Sequence, residues 1–262
     1  TEEQRERIKA KIDRARAMAD TRERVIPEFA TPPDGIQCPH CGNTGWTYEV
    51  TDDGYESVRA CPYCYERRQV VRRLQHSGIS PRDYARFNLI TFDPGKTPDS
   101  AKMLALAEHT FGGPGFGAFG SSGMGKTHIC IAVCQELTRR YREPHHYFSY
   151  RSIMPGLVKA SKSFKDDYEA EMQKWVRYQN LYIDDMFKFS GKQAGDRIVI
   201  DQDELRVFFD LINARYLSHK TTLFSSEYMV KDIAAIDGAL GSRIYDMVKP
   251  YGLAVSGPNQ RL

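Results

Sequence analysis

Gly120-Ser121-Ser122-Gly123-Met124-Gly125-Lys126-Thr127 matches the phosphate-binding loop pattern G-x-x-x-x-G-K-[ST] at every fixed position. Glycines let the backbone turn its N–H groups toward a polyphosphate. Lys126 reaches the outer phosphates, and the Thr127 hydroxyl suits Mg²⁺. Upstream, Phe116-Gly117-Ala118-Phe119 reads as a short buried strand. Downstream, His128 to Arg140 reads as a helix, with Ile129, Ala132, Val133 and Leu137 at helical spacing. A strand, a loop and a helix N-terminus make an anion site, because unpaired N–H groups and the helix dipole both favour negative charge. The whole loop, Gly120 to Thr127 with the adjoining His128, is the expected nucleotide contact, with ATP or ADP as ligand.

The next strand-like segment that bears on this site is Leu181-Tyr182-Ile183-Asp184-Asp185, an apolar run ending in two carboxylates. A phosphate-loop enzyme needs an acid at the end of a neighbouring strand to hold Mg²⁺. Asp184 fits that role, and Asp185 is placed to polarise an attacking water. Paired acids favour hydrolysis over kinase chemistry.

Around these motifs, helices and strands alternate from Asp99 onward: helix 100–110, strand 146–150, helix 153–163, strand 181–183, helix 203–217, strand 222–224, helical region 229–248 and strand 253–255. This order predicts an α/β fold, a parallel sheet covered on both faces. Residues 79–97 read as an extended connector. Residues 2–24 read as a charged helix with a thin apolar stripe of Ile8, Ile12, Ala15 and Ala19. A two-part chain follows, with a partner-binding module over 1–77 and an ATPase domain over 78–262.

The first part carries Cys38-Pro39-His40-Cys41 and Cys61-Pro62-Tyr63-Cys64, two C-x₂-C pairs with residues 42–60 between them. Each pair presents two thiolates from one turn, and the interval fits a β-hairpin of Trp46 to Val50 and Ser57 to Ala60. Cys38, Cys41, Cys61 and Cys64 form a closed, structural S₄ set. An iron–sulfur cluster also uses four cysteines, but the spacing favours zinc. His40 reads as a turn residue, and Cys130 and Cys134 as packing residues on the helix after the loop. A basic helix, Tyr65 to Gln75, follows. Its Arg67, Arg68, Arg72 and Arg73, with Arg82 and Arg86 beyond, suit either a nucleic-acid contact or a solvated face.

A chain of 262 residues with 41% hydrophobic and 27% charged residues is ordinary for a soluble globular protein, and a net charge of +3 does not by itself argue for nucleic acid. No apolar run approaches the roughly 18 residues of a membrane span. The charged N-terminus lacks the apolar stretch of a secretory signal. A cytoplasmic location is expected, where such cysteines hold metal rather than disulfides.

With these features assembled, the chain resembles the AAA+ ATPases of the DnaC/DnaI helicase-loader group and the related IstB transposition ATPases, from about Ile79 onward. The resemblance also rests on Ile79-Ser80-Pro81, Arg86-Phe87, Thr91-Phe92-Asp93, Ile212-Asn213-Ala214-Arg215-Tyr216 and Leu240-Gly241-Ser242-Arg243-Ile244. The N-terminal cysteine module is similar to that of DnaI-type loaders. The resemblance implies a catalytic acid at Asp185 and an arginine finger at Arg243, which reaches a neighbour's γ-phosphate when ATPase domains self-associate. Its implied partners are a hexameric replicative DNA helicase and single-stranded DNA, in a bacterial or phage-encoded system. Where Thr-Ser-Asn is common at the sensor, this chain reads Ser225-Ser226-Glu227. An ionised Glu donates no hydrogen bond, so either Ser226 takes that role or hydrolysis is slow. The segment 188–202, with Lys188, Lys192 and Arg197, looks longer than usual for the group and suits a DNA loop or a plain insertion. Little room remains after the last strand for a helical lid. Two alternatives stand beside the loader: an IstB-like regulator on duplex DNA, and a zinc-containing adaptor switched by nucleotide with little turnover.

Overall fold

The computed structural model describes residues 34–257, apart from 51–55, 110–114, 164, 189, 191, 195 and 196, together with 6, 9 and 259. Of the charged helix expected over residues 2–24, residues 6 and 9 are described, both helical, and the rest lies outside the described residues. The chain divides into two compact units, Thr1–Gln69 and Val70–Leu262.

In the first unit, β1 (Trp46–Val50) and β2 (Glu56–Ala60) pair antiparallel between the two cysteine turns, with Trp46 opposite Ala60. Helix α1 (Tyr65–Gln75) starts directly after the second turn.

The second unit holds α2 (Pro81–Arg86), α3 (Pro98–His109), β3 (Gly115–Gly120), α4 (Lys126–Tyr141), β4 (His145–Ser149), α5 (Tyr150–Ser161), α6 (Lys165–Val176) and β5 (Asn180–Met186). It continues through β6 (Lys192–Ala194), β7 (Arg197–Val199), α7 (Gln202–Leu217), β8 (Thr221–Ser226), α8 (Val230–Ile236), α9 (Gly238–Val248) and β9 (Gly252–Val255). Five strands form an all-parallel sheet in the order β4-β5-β8-β3-β9. Alternation along each strand sends side chains to two separate cores. Phe116, Ala118, Tyr182 and Leu223 meet Ile129 and Val133 of α4 on one face. Phe119, Leu181, Ile183 and Phe224 meet Phe208 of α7 and Leu240 and Ile244 of α9 on the other. Burial on both faces is why these strands read as continuous apolar runs.

The strand order corrects one expectation. The strand carrying Asp184 is not the neighbour of the strand carrying the phosphate loop, because β8 from late in the chain is inserted between β3 and β5. The connector 79–97 also holds a helix. Ser80 caps α2, its Oγ accepting the Asp83 N–H at 3.1 Å, and Pro81 occupies the first turn. Helix α6 was illegible because its charged residues outnumber a narrow stripe of Tyr168, Met172 and Trp175 packed on the core. The buried guanidinium of Arg215 closes that helix, donating to the carbonyls of Trp175 at 2.9 Å and Tyr178 at 2.8 Å. The segment 188–202 contains the β6–β7 antiparallel hairpin. Cys130 and Cys134 are fully buried packing residues.

At the start of β4, His145 is buried between the Tyr84 hydroxyl at Nε2 and the Thr138 hydroxyl at Nδ1, 2.8 Å away. Burial, with a small contribution from His146, pulls its pKa down to about 3. The unfolded chain therefore takes up this proton first, so stability present above about pH 6.5 is lost as pH falls toward 3. At pH 5 the loss from this group is expected to be about 2 kcal/mol. Denaturant titrations at pH 7 and 5 should show it, with a smaller difference in His145→Gln. An equal difference in the variant would discharge His145 from the effect.

Candidate nucleotide site and metal centre

The phosphate loop leaves β3 through Gly120, whose φ of 125° belongs to glycine and whose missing Cβ leaves space for the Val255 carbonyl. It enters α4 through Gly125 at φ 81°. The first turn of α4 carries no acidic residue, so its N–H groups and dipole are left to an anion. Lys126 is buried, and its ammonium donates to the carbonyls of Gly120 at 2.8 Å and Ser121 at 2.7 Å. Burial lowers its pKa, while Glu227 and Asp185 pull the other way.

Although β5 is two strands away, Asp184 meets the loop. Thr127 Oγ1 donates to Asp184 Oδ1 at 3.1 Å. The same carboxylate accepts from Tyr147 of β4 at 2.7 Å, and from the hydroxyls of Tyr182 and of Ser225 of β8. Four hydroxyls from four elements hold it. Burial, with the adjacent Asp184 charge, raises the pKa of both tyrosines, so they remain donors. The Thr127–Asp184 separation fits adjacent ligands of an octahedral Mg²⁺, whose oxygens lie about 3 Å apart.

Asp185 follows at φ 52°, unusual for a side chain other than glycine, where the β5–β8 register shifts between Ile183 and Met186. Its N–H donates to Ser225 Oγ at 3.0 Å. Its carboxylate lies 3.0 Å from Lys188 Nζ, and Lys188 in turn lies 3.3 Å from Glu227. Glu227 also accepts a hydrogen bond from Ser122, and its pKa is lowered by that bond and by Lys188 against the opposing effect of burial. Ser226 is the last residue of β8. It is fully buried, and its hydroxyl donates to the Met186 carbonyl at 2.9 Å.

Beside the loop, a cavity of about 490 Å³ is lined by Arg86, Phe87, Phe92, Lys96, Gly125 and His128, among others. The His128 ring packs against Phe87 and edge-on to Phe92, with Nε2 3.0 Å from the Asn88 carbonyl. His128 thus ties the entering connector to α4 and forms part of the cavity wall. Arg243 is remote in its contacts. It donates to Asn213 Oδ1 at 2.8 Å and to the Ala239 carbonyl at 3.0 Å, and lies over the Phe209 ring.

In the first unit, Sγ atoms of Cys38, Cys41, Cys61 and Cys64 all lie within 4.8 Å of one another. The Cys38–Cys61 and Cys41–Cys64 pairs are 3.9 and 3.6 Å apart. A tetrahedral zinc with 2.3 Å bonds sets its sulfurs about 3.8 Å apart, so the residues fit the ion. The Gly45 N–H donates to Cys41 Sγ at 3.3 Å, and Arg68 Nε to Cys64 Sγ at 3.3 Å. Arg68 is not the surface cation its neighbours in sequence suggest. It is 3% exposed, donates from Nη1 to both oxygens of Asp34 and from Nη2 to the Ile36 carbonyl.

The structure brings the loop, both aspartates and all four cysteines singled out in the sequence into these two clusters. Sequence reasoning did not pick out Tyr147, Tyr182, Ser225, Lys188 and Arg68 as their neighbours. Position at the C-terminal ends of parallel strands marks Ser225 as a site residue once the sheet order is known.

A family model of the bacterial DnaA ATPase domain matches residues 87–249, more than half of the chain. The phage-like element PBSX protein XkdC of Bacillus subtilis (strain 168) is 33% identical over 142 residues, 53% of this chain and 49% of that protein. The chromosomal replication initiator protein DnaA of Thermus thermophilus is 30% identical over 190 residues, 71% of this chain and 41% of that protein. The chain spans about half the length of the relatives it matches. Among solved structures, the DnaC helicase loader superimposes with a TM-score of 0.54 at 22% identity, over 68% of this chain and 100% of that one. DnaI does so with a TM-score of 0.54 at 21% identity, over 72% and 100%. These two likenesses are of fold, and they meet the resemblance expected from the motifs. The family match adds a relationship to the initiator that those motifs did not suggest. With its phosphate loop, its paired aspartates and a five-stranded parallel sheet, the chain belongs to the family of the bacterial DnaA ATPase domain, in an AAA+ fold shared with DnaC and DnaI.

Proposed function

We propose that the protein is an ATP-dependent loader that binds a hexameric replicative helicase and delivers it to single-stranded DNA, in the cytoplasm, in a bacterial or phage-encoded system. The observation that carries this reading is the joining of an AAA+ core to a first unit built around four clustered cysteines. The fold likeness to the DnaC and DnaI structures supports it, as does the relationship to a phage-like element protein.

Residues of this chain divide the work. The loop N–H groups and Lys126 bind the phosphates, and the cavity beside Phe92 and His128 takes base and ribose. Thr127 and Asp184 would hold Mg²⁺, which supplies charge neutralisation at the phosphates. Asp185 takes the proton of the attacking water. Arg243 serves a neighbouring subunit, for which it must leave Asn213, so assembly and hydrolysis are linked. The four cysteines would hold zinc as a structural ion, and residues 1–77 grip the helicase.

The test is solution mass of the protein mixed with its host's replicative helicase, with and without the ATP analogue AMPPCP. A complex near one loader per helicase subunit is expected. Arg243→Ala should bind the analogue normally but lose analogue-dependent self-association. No complex in any nucleotide state would remove the loader reading. A second reading, an adaptor with little turnover, is favoured by Glu227 at the sensor position, and turnover unchanged by helicase or DNA would select it.

A further inference from the structure

Glu227 puts a carboxylate against the loop, hydrogen-bonded to Ser122 and within the field of Lys126. A phosphate approaching Lys126 from this side meets a like charge, which costs binding. The compensating cation comes from the turn after β5. There Phe187, at φ 61° and fully buried, reverses the chain, and the Lys188 N–H donates to the Asp185 carbonyl at 3.0 Å. The turn aims the Lys188 ammonium back at the two acids of the site, 3.0 Å from Asp185 and 3.3 Å from Glu227. A cation held between the acid that handles the attacking water and the acid at the sensor position stands where the terminal phosphate has to be recognised. An ammonium is a point charge of rotatable donors and suits a phosphoryl oxygen, which a carboxylate cannot satisfy.

We propose that Lys188 reads the γ-phosphate and sets the preference for nucleoside triphosphate over diphosphate, with Glu227 as the positioning residue that aims it. The proposal rests on the nucleotide-binding reading above. It explains how a site with Glu227 discriminates ATP, and it takes Lys188 out of the stretch available to DNA.

The test is equilibrium binding of ADP and of AMPPCP, each with Mg²⁺, by the full chain. Lys188→Met is expected to weaken AMPPCP by about tenfold to a hundredfold, the loss of one charge-assisted contact. ADP affinity should stay within about twofold, which also certifies the fold. Lys188→Arg should keep most of the ratio. Lys188→Met/Glu227→Gln separates reading from mere neutralisation: a lysine that only neutralises Glu227 is dispensable once that charge is gone. Failure of the double variant to regain the wild-type ratio supports the proposal. An unchanged ratio in Lys188→Met, or its full recovery in the double variant, overturns it while leaving nucleotide binding intact. Wild-type protein that binds neither nucleotide would bring down the underlying reading and the proposal together.

Discussion

Lys126→Ala is expected to lose ATP binding by at least about a hundredfold while keeping its fold. The ammonium is buried in the loop and held by two backbone carbonyls, Gly120 at 2.8 Å and Ser121 at 2.7 Å. Charge-assisted hydrogen bonds are worth about 1.5–3 kcal/mol each. Two phosphate contacts therefore account for about 3–6 kcal/mol, and each 1.4 kcal/mol is about tenfold in affinity. The expected effect on stability has the opposite sense. Burial lowers the pKa of Lys126, so the charged form is disfavoured where it sits. Among the described residues this desolvated cation is held by carbonyls and by more distant acids, so removing it should leave the thermal midpoint unchanged or raise it. Titration with a fluorescent ATP analogue beside thermal melts reads both. ATP binding within about threefold of wild type would take the loop out of the nucleotide site.

The second large effect concerns the first unit. Purified protein never exposed to chelator should carry about one zinc per chain. Among the described residues of this unit, the buried side chains are Ile36, Cys38, Cys61, Cys64 and Arg68. Three of the five are cysteines of the cluster, and a fourth, Arg68, donates to one of them. Apolar burial this small among the described residues does not by itself support their fold, whereas structural zinc contributes about 10–16 kcal/mol in small modules. Chelation, or Cys61→Ser at a fully buried ligand, should therefore unfold residues 34–64. The second unit has its own two cores and should still bind nucleotide. Limited proteolysis should cut metal-free protein between Asp34 and Cys64, with a resistant fragment beginning near Val70. A hairpin that stays protected without metal, or elemental analysis without zinc, would overturn the assignment.

Between them, the two variants separate the halves of the proposed loader. Lys126→Ala should disable the nucleotide response with the cysteine unit intact. Cys61→Ser should disable helicase binding with the nucleotide site intact.

Much of the framework was legible from residues alone, for a physical reason. The phosphate loop, the cysteine turns, the hairpin and α1 are specified within short windows, where glycine conformations, thiolate spacing and local periodicity act on neighbouring residues. A strand buried on both faces announces itself as an apolar run wherever it lies in the sheet, so the parallel α/β class was legible too. Strand order was not, because β8 joins β3 and β5 by matching buried faces that no local window contains. The same holds for the chemistry. Asp184 is held by Thr127, Tyr147, Tyr182 and Ser225, and Lys188 lies between Asp185 and Glu227. Arg68 sits in a row of arginines that sequence cannot tell apart, and only packing against Asp34 and Cys64 makes it internal. The sequence by itself determined which groups are present and the local backbone that presents them. Tertiary structure alone decided which charges are desolvated together, because that depends on distances between residues far apart in the chain.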